Sequence, residues 1–375
     1  MSQENVVISF VGQKISNLCW CTKRDGSTSQ DEFLTGGYDD EVNSLCLWKI
    51  PDEAMDISTE PFVVAQKEVP IGSVTGIKQT SSSTVFYTTN TGSLTLLDFD
   101  IHTNTFVDRQ CWNKLHRYDV TDELAPCCTF DVSGQEIITG GEDGRMNILH
   151  IDRKDPIYTM DVMDSSNVTG IQYITSKEFL SINSTGQLKI WDTRKLAKDN
   201  KPSKTLTLSG NACPLLSVDK HPNQPHIVVT GHGDGVIGIW DTRQEKAPVT
   251  LIDAHSAEVW QVKFHPMYPD NLFTCSEDGS CWFWGGSSMI SGANQVKTLS
   301  ETGLGGGLSF HQQNMMDAVS SSIWLYVDAN KHKMETFSLV PFNQSAVNTF
   351  DVNASRLICG TDNEAIICVN DIPLH

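Results

Sequence analysis

The chain has 375 residues, 46 of them acidic and 27 basic, so its formal net charge is −19. This length suits one large all-β domain or two ordinary domains. The acidic excess argues against binding to nucleic acid or anionic lipid, since phosphate contacts need a basic surface. The sequence contains no apolar run long enough to span a bilayer, and its first ten residues lack the features of a secretory leader. We therefore expect no direct membrane insertion.

The first predicted element is a lone strand, Asn5–Gly12, with no turn partner before it. After it the chain repeats a unit of short strands separated by turn signals. In five of these units the same turn ends in glycine, at intervals of about 42 to 52 residues, and a period of this size is typical of a repeat architecture. These turn glycines are Gly92, Gly144, Gly186, Gly235 and Gly279.

The sixth unit, Leu251–Trp284, shows the repeated pattern most fully. Its three short strands are separated by turns about ten residues apart, which indicates an antiparallel meander. We predict a hydrogen-bonded chain of polar side chains here, because such a chain satisfies buried polar groups where two units meet. The predicted members are His255, Thr274, Asp278 and Trp284. Their order resembles a WD40 repeat, which forms one blade of a β-propeller.

Other units keep parts of this pattern. The fifth unit matches it at Thr230, Asp234 and Trp240. The third unit has Asp143 in the turn but Leu149 where the tryptophan would stand. We therefore expect a truncated polar chain, and a smaller stabilising effect, around Asp143.

The period breaks after the sixth unit. Residues 285–330 are rich in Gly, Ser and Gln and are predicted to form a long inserted loop within blade six, followed by that blade's outer strand at Lys333–Val340. The remaining residues supply three strands of a seventh blade, whose missing outer strand Asn5–Gly12 can provide. The sequence thus predicts one domain over residues 1–375, an all-β, closed seven-bladed WD40 β-propeller whose N-terminal strand completes the last blade.

Candidate partner contacts are few. Trp260 is second in its strand and is predicted at the rim of the central channel, where its ring could anchor a partner or could pack against the next blade. In the inserted loop the candidates are Trp324, Leu325 and Tyr326, because propeller loops vary most where function is added.

Catalytic, cofactor-binding and metal-binding residues are not predicted. His255, Thr274 and Asp278 could be interpreted as a hydrolase triad, but their spacing already has a structural explanation and no nucleophile-elbow motif is present. The 11 histidines lack paired metal-ligand spacings, and the 11 cysteines include no Cys-x-x-Cys. We expect no cofactor and no small-molecule substrate.

Several runs along the whole chain carry a more specific resemblance. Taken together, they are similar to the small WD-repeat nucleoporins of the Y-shaped outer-ring complex of the nuclear pore. The inserted loop contains no matching run. The matching runs are Gln13–Ser16, INSTGQLKIWDTR, HPNQPHIVVTGHGDG, AHSAEVWQVKFHP, LFTCSEDGS and ICGTDNEAI.

This resemblance implies a non-enzymatic scaffold subunit that supports pore assembly, mRNA transport and protein transport. Its implied partners are other nucleoporins of the Y complex, above all the α-solenoid subunit of the short arm. The implied location is the nuclear pore complex at the nuclear envelope and, during mitosis, the kinetochore, with a role in chromosome segregation.

Two other functions stay open at this point. A WD40 substrate receptor of a cullin-type ubiquitin ligase is one, because such receptors often contain W-D-x-R, as at Trp191–Arg194 and Trp240–Arg243. A propeller enzyme is the other, although the predicted channel-rim positions hold neither acids nor metal ligands. Affinity purification from nuclear extract would distinguish Y-complex subunits from cullin adaptors.

Overall fold

The computed structural model describes residues 5–23, 28–51, 60–196, 198–208, 213–244, 247–286, 322–325, 334–341 and 345–374. Within these ranges, strands form seven separate four-stranded antiparallel sheets. Each sheet is one blade, and the first strands of successive blades contact one another, so these strands are innermost and surround a central channel. The prediction of an all-β, seven-bladed propeller is confirmed.

The chain starts in the last blade, with strand β1 at Val6–Phe10, and then builds each blade from its inner strand outward. The strands of blades one to four are β2 Ile15–Thr22, β3 Thr28–Gly37, β4 Asn43–Lys49, β5 Phe62–Val69, β6 Val74–Ser81, β7 Thr84–Thr89, β8 Leu94–Asp100, β9 Thr105–Trp112, β10 Cys127–Ser133, β11 Glu136–Gly141, β12 Met146–His150, β13 Tyr158–Met160, β14 Val168–Thr175, β15 Glu178–Asn183, β16 Gln187–Asp192 and β17 Lys204–Thr207.

Blades five to seven follow the same order. Their strands are β18 Leu215–Lys220, β19 Ile227–His232, β20 Val236–Asp241, β21 Thr250–Asp253, β22 Val259–Phe264, β23 Asn271–Ser276, β24 Cys281–Gly285, β25 Glu335–Ser338, β26 Val347–Asn353, β27 Arg356–Thr361 and β28 Ala365–Val369. We call the face that carries the turns between second and third strands the upper face, and the opposite one the lower face.

The N-terminal strand closes the ring, as predicted. β1 pairs antiparallel with β28, from Val6 opposite Val369 to Phe10 opposite Ala365. Backbone hydrogen bonds extend this ladder beyond both strand ends, since Val11 N donates to Glu364 O at 2.8 Å and Asn370 N donates to Asn5 O at 2.9 Å. Blade seven therefore reaches four strands with residues of this chain alone.

The core lies between the blades, so the middle strands are buried on both faces. Every residue of β23 is buried, which explains why its sequence does not alternate between apolar and polar residues. Phe273 of this strand contacts Phe350 of blade seven, with ring centroids 6.4 Å apart. On the other side of the blade, Trp284 and Phe264 belong to a cluster shared with blade five.

Three aspartates on inner strands tie neighbouring blades together. Each carboxylate accepts a hydrogen bond from a backbone N–H on the inner strand of the next blade, which satisfies a donor that has no strand partner there. The pairs are Asp131 with Tyr173 N at 2.7 Å, Asp219 with Phe264 N at 2.9 Å, and Asp351 with Trp20 N at 2.8 Å. The last pair joins blade seven to blade one, so the ring is closed at its inner strands as well.

Candidate functional site

The polar chain of blade six joins the four residues that the sequence singled out. His255 Nε2 lies 2.8 Å from Thr274 Oγ1, and Trp284 Nε1 donates to the same hydroxyl at 3.0 Å. The other ring nitrogen of His255 lies 3.3 Å from Asp278. The second and third strands of the blade and the turn between them are thus held together with the blade's entry loop.

Asp278 collects donors from both sides of its turn. It accepts the backbone N–H of Ser256 at 2.9 Å and that of Ser280 at 3.0 Å. Burial raises the pKa of the Asp278 carboxyl, but hydrogen bonds from His255, Ser280 and Ser256 outweigh this and hold it well below its usual value. Thr274 is fully buried and bonded to two partners, so its hydroxyl is placed as a structural group with no path to a substrate.

Blade five departs from the expected pattern at Asp234. Thr230 Oγ1 accepts from Trp240 Nε1 at 2.8 Å, but its second partner is His232 Nε2, also at 2.8 Å. Asp234 is exposed, and its carboxylate accepts a hydrogen bond from Val236 N within its own turn. Of the three residues expected in this network, Thr230 and Trp240 are bonded to each other, and among the described residues no hydrogen bond links Asp234 to either of them. His232 takes the place that the entry-loop histidine His255 has in blade six, since residues two apart on a strand point to the same face.

Blade three departs in the opposite direction. His116 bridges the turn to the strand, with Nδ1 3.0 Å from Asp143 and Nε2 2.9 Å from Thr139. Asp143 also accepts the backbone N–H groups of Arg117 at 2.8 Å and Arg145 at 3.0 Å. The polar chain around Asp143 is therefore not truncated, although its tryptophan is missing. Sequence reasoning missed His116, which precedes Thr139 much as His255 precedes Thr274.

Trp324 lies inside the propeller and not on a docking surface. Its ring is fully buried, 5.4 Å from that of Phe264, and its Nε1 donates to Pro269 O at 3.0 Å. Leu325 is partly buried against the same cluster, while Tyr326 lies outside the described residues. The prediction of a partner contact at Trp324 is corrected, because an apolar gap beside blades five and six buries its ring.

Trp260 lies where the sequence placed it, beside the channel. Its side chain is 37% exposed and lines the same cavity, of about 1030 Å³, as Gln261 and Asn348. Around this cavity, side chains near the start of inner strands donate to carbonyls of the next blade. These contacts are Ser16 to Val74 O at 2.6 Å, Thr75 to Cys127 O at 2.6 Å, Ser217 to Val259 O at 3.1 Å and Asn348 to Ile15 O at 3.0 Å.

The two W-D-x-R arginines lie on the lower face, and each forms a bidentate ion pair with the aspartate of its own motif. Arg194 donates through Nε at 2.9 Å and Nη2 at 2.8 Å to Asp192. Arg243 makes the same fork to Asp241, at 2.9 and 2.7 Å. The hydrogen bonds from Arg194 lower the pKa of Asp192 to about 2. This geometry gives the motif a structural role within the turn, without reference to a partner.

Metal-binding clusters and membrane-spanning helices are both absent from the described residues. Their His, Cys, Asp and Glu side chains form no group of three or more suited to hold a metal ion. Over the same part of the chain, no helix has the length and apolar character required to cross a membrane.

Comparison with known proteins identifies the family. The WD domain, G-beta repeat family matches residues 201–241 and 246–285. The first range ends with the third strand of blade five, and the second ends with the third strand of blade six. "Nucleoporin Nup43" of Homo sapiens is 38% identical over 97% of this chain and 98% of that protein, and its Mus musculus counterpart is 36% identical over the same shares. "Nuclear pore complex protein nup43" of Dictyostelium discoideum is 26% identical over 65% of this chain and 54% of that protein. The chain therefore belongs to the Nup43 family of nucleoporins.

Proposed function

We propose that this nucleoporin is a non-enzymatic scaffold subunit of the Y-shaped outer-ring complex, and that it binds the α-solenoid nucleoporin of the short arm. The observation that carries this proposal is the closed ring, since blade seven is completed by β1 of the same chain. A closed propeller needs no strand from its partner. Binding is then docking between preformed surfaces, with little change in the backbone.

The surface we propose for this contact is the upper channel mouth around Trp260. Tryptophan is among the residue types that most often carry binding energy at protein interfaces. The indole ring of Trp260 is partly exposed, while its strand β22 is paired with β23 in the sheet. The net charge of −19 favours a partner with basic residues at its rim. Association should then weaken as salt increases.

In cells, we propose that this scaffold role supports pore assembly and, through it, mRNA and protein transport. We also propose that the protein follows its complex to the kinetochore during mitosis and contributes to chromosome segregation. Family membership and the resemblance of the matching runs along the chain support these roles. Depletion followed by rescue with the Trp260→Ala variant would test them.

The direct test is a pull-down of the purified short-arm α-solenoid nucleoporin by this protein at moderate salt. We expect wild type to bind and Trp260→Ala to bind at least tenfold more weakly, because the substitution removes the indole ring from the centre of the contact. Phe62→Ala is the matched control, since Phe62 is an exposed aromatic on the outer strand β5 of blade one.

The two arms of this test have different meanings. Absence of binding by the wild-type protein would reject the partner assignment. Equal binding by wild type and Trp260→Ala would reject only the channel mouth as the docking surface.

A further inference from the structure

A groove on the lower face separates blade three from blade four. It encloses about 410 Å³, and its apolar lining consists of Ile148, Ile157, Tyr158 and Leu196. Ile157 is 43% exposed although it stands beside the core cluster of these blades. A volume of this size accommodates one or two large side chains of a partner, while the base of the groove is formed by the packed core.

The rim of this groove is basic in a strongly acidic protein. Lys177 and Arg194 line it directly. The connection from β16 to β17, residues 192–204, adds further basic side chains, of which Lys198 and Lys201 are exposed. Among the described residues, neither Lys198 nor Lys201 lies within ion-pair distance of a carboxylate, whereas Arg194 and Lys195 share Asp192.

Carboxylates around the groove are fewer. Glu136 lines it, Glu178 follows Lys177, and Asp192 and Asp199 lie on the connection, where Asp192 pairs with Arg194 and Lys195. The basic side chains are Lys177, Arg194, Lys195, Lys198, Lys201 and Lys204. The chain as a whole has more acidic than basic residues, 46 against 27, whereas basic side chains are in excess around the groove. Such a reversal creates a local positive potential that attracts acidic groups.

Hydrogen bonds hold the connection in place beside the groove. The Tyr158 hydroxyl lies 2.7 Å from Asn200 Oδ1 and 3.2 Å from Leu196 O, which joins blade three to the connection in blade four. The backbone N–H groups of Lys198 and Asp199 both donate to Lys195 O at 2.9 Å. The lysines therefore project from an ordered turn, and a partner would not have to order it on binding.

We propose that this groove binds an acidic segment of a partner protein, with a leucine or aromatic side chain seated between Ile157 and Leu196 and carboxylates against Lys177, Lys198 and Lys201. The apolar lining favours a peptide over nucleic acid, which would use the basic rim but leave the lining uncovered. The groove is on the face opposite the Trp260 channel mouth, so this inference goes beyond the proposed function and does not depend on it. One propeller would then join two partners through faces of opposite charge preference.

The test starts with a displayed library of random twelve-residue peptides selected on the full-length protein. We expect enriched peptides to contain one large apolar residue flanked by Asp or Glu. Affinity of a fluorescent copy of an enriched peptide is then measured by anisotropy. Lys198→Glu/Lys201→Glu should weaken it at least tenfold, and Ile157→Glu should do the same from the apolar side of the groove.

The matched control is Lys23→Glu/Lys114→Glu, which changes the net charge equally at exposed lysines away from the groove. It should leave affinity within twofold of wild type, and every variant should keep the wild-type melting temperature. The proposal is overturned if enriched peptides lack acidic residues, if the groove and control variants behave alike, or if vesicles of anionic lipid or single-stranded RNA bind at the groove lysines while peptides do not. Binding of the α-solenoid nucleoporin, measured in parallel, tests the proposed function separately.

Discussion

At the scale of single residues, buried threonine hydroxyls hold the second and third strands of a blade together. Thr230 and Thr274 are both fully buried, and each is bonded to a tryptophan and a histidine. A buried polar group without a partner costs about 1–3 kcal/mol, so removing one member of such a chain should cost more than the bond itself. Turn aspartates differ in this respect, because Asp234 is exposed while Asp143 is buried.

We predict that Asp278→Ala and Asp143→Ala lower the free energy of unfolding by similar amounts, about 2–3 kcal/mol each. Each substitution leaves a buried histidine and backbone N–H groups without their acceptor. Asp234→Ala is the control and should cost under about 1 kcal/mol. Urea unfolding of the three variants measures this, and equal stability of all three would show that these turns are not held by their carboxylates.

A second prediction concerns acid sensitivity. Burial lowers the pKa of His232 to about 4, from 6.5 in an unfolded chain. The unfolded state therefore binds this proton first as pH falls, so stability is present above pH 6.5 and is lost as pH falls towards 4. We expect His232 to account for a loss of about 1–2 kcal/mol between pH 7 and pH 5.

His232→Gln removes that titration while its amide can still contact Thr230. Urea unfolding at pH 7 and pH 5 should show a smaller loss for this variant than for wild type. His221, whose pKa burial also lowers to about 4, is unchanged in both proteins, so the difference isolates His232. Identical pH dependence in the two proteins would contradict the lowered pKa.

At the scale of elements, the ends of the chain decide whether an edge is exposed. β28 lies between β27 and β1, so removal of β1 would leave its backbone groups unpaired along a whole edge. Val7 and Val11 also pack against the apolar cluster of blade one. We predict that deletion of residues 1–12 gives aggregated protein, while deletion of residues 2–4 alone does not. Monomeric protein with an unchanged melting temperature after the longer deletion would contradict ring closure by β1.

The insertion within blade six should separate into an expendable part and a fixed part. Replacing residues 288–307 with a short linker should change stability by no more than about 1 kcal/mol, because closure entropy varies slowly with loop length. Trp324→Ala should cost about 3–5 kcal/mol, because a fully buried ring is lost beside Phe264. Thermal and urea unfolding of both variants tests this, and the reverse ranking would mean that the insertion is held elsewhere.

Much of the element pattern could be predicted from sequence because it is local. Turn glycines such as Gly235 and Gly279 have positive φ angles of 88° and 80°, which favour glycine, so they mark turns directly. The outer strand of blade six, predicted within Lys333–Val340, is confirmed as β25 at Glu335–Ser338. Burial of Trp324 could not be predicted, because the gap that receives it is built by Phe264 and Pro269, about sixty residues earlier in the chain.

At the scale of the whole molecule, ring closure determines how the protein can be used. Seven blades complete one another, and both the outer pair β1–β28 and the inner bond from Trp20 N to Asp351 join the last blade to the first. In the part of the chain that the structure describes, every blade has its four strands, so no blade lacks a strand that a partner would have to donate. A nucleoporin of this form offers preformed faces to its partners.

Hydrogen exchange of the protein, free and bound to the short-arm α-solenoid nucleoporin, distinguishes a ring closed by the chain itself from a ring completed by the partner. We predict that the amides of β1 and β28 are strongly protected in the free protein and equally protected in the complex, with new protection limited to the upper channel mouth around Trp260. Amides of β1 that exchange rapidly until the partner is added would contradict it, because the ring would then be completed by binding and not by the chain itself.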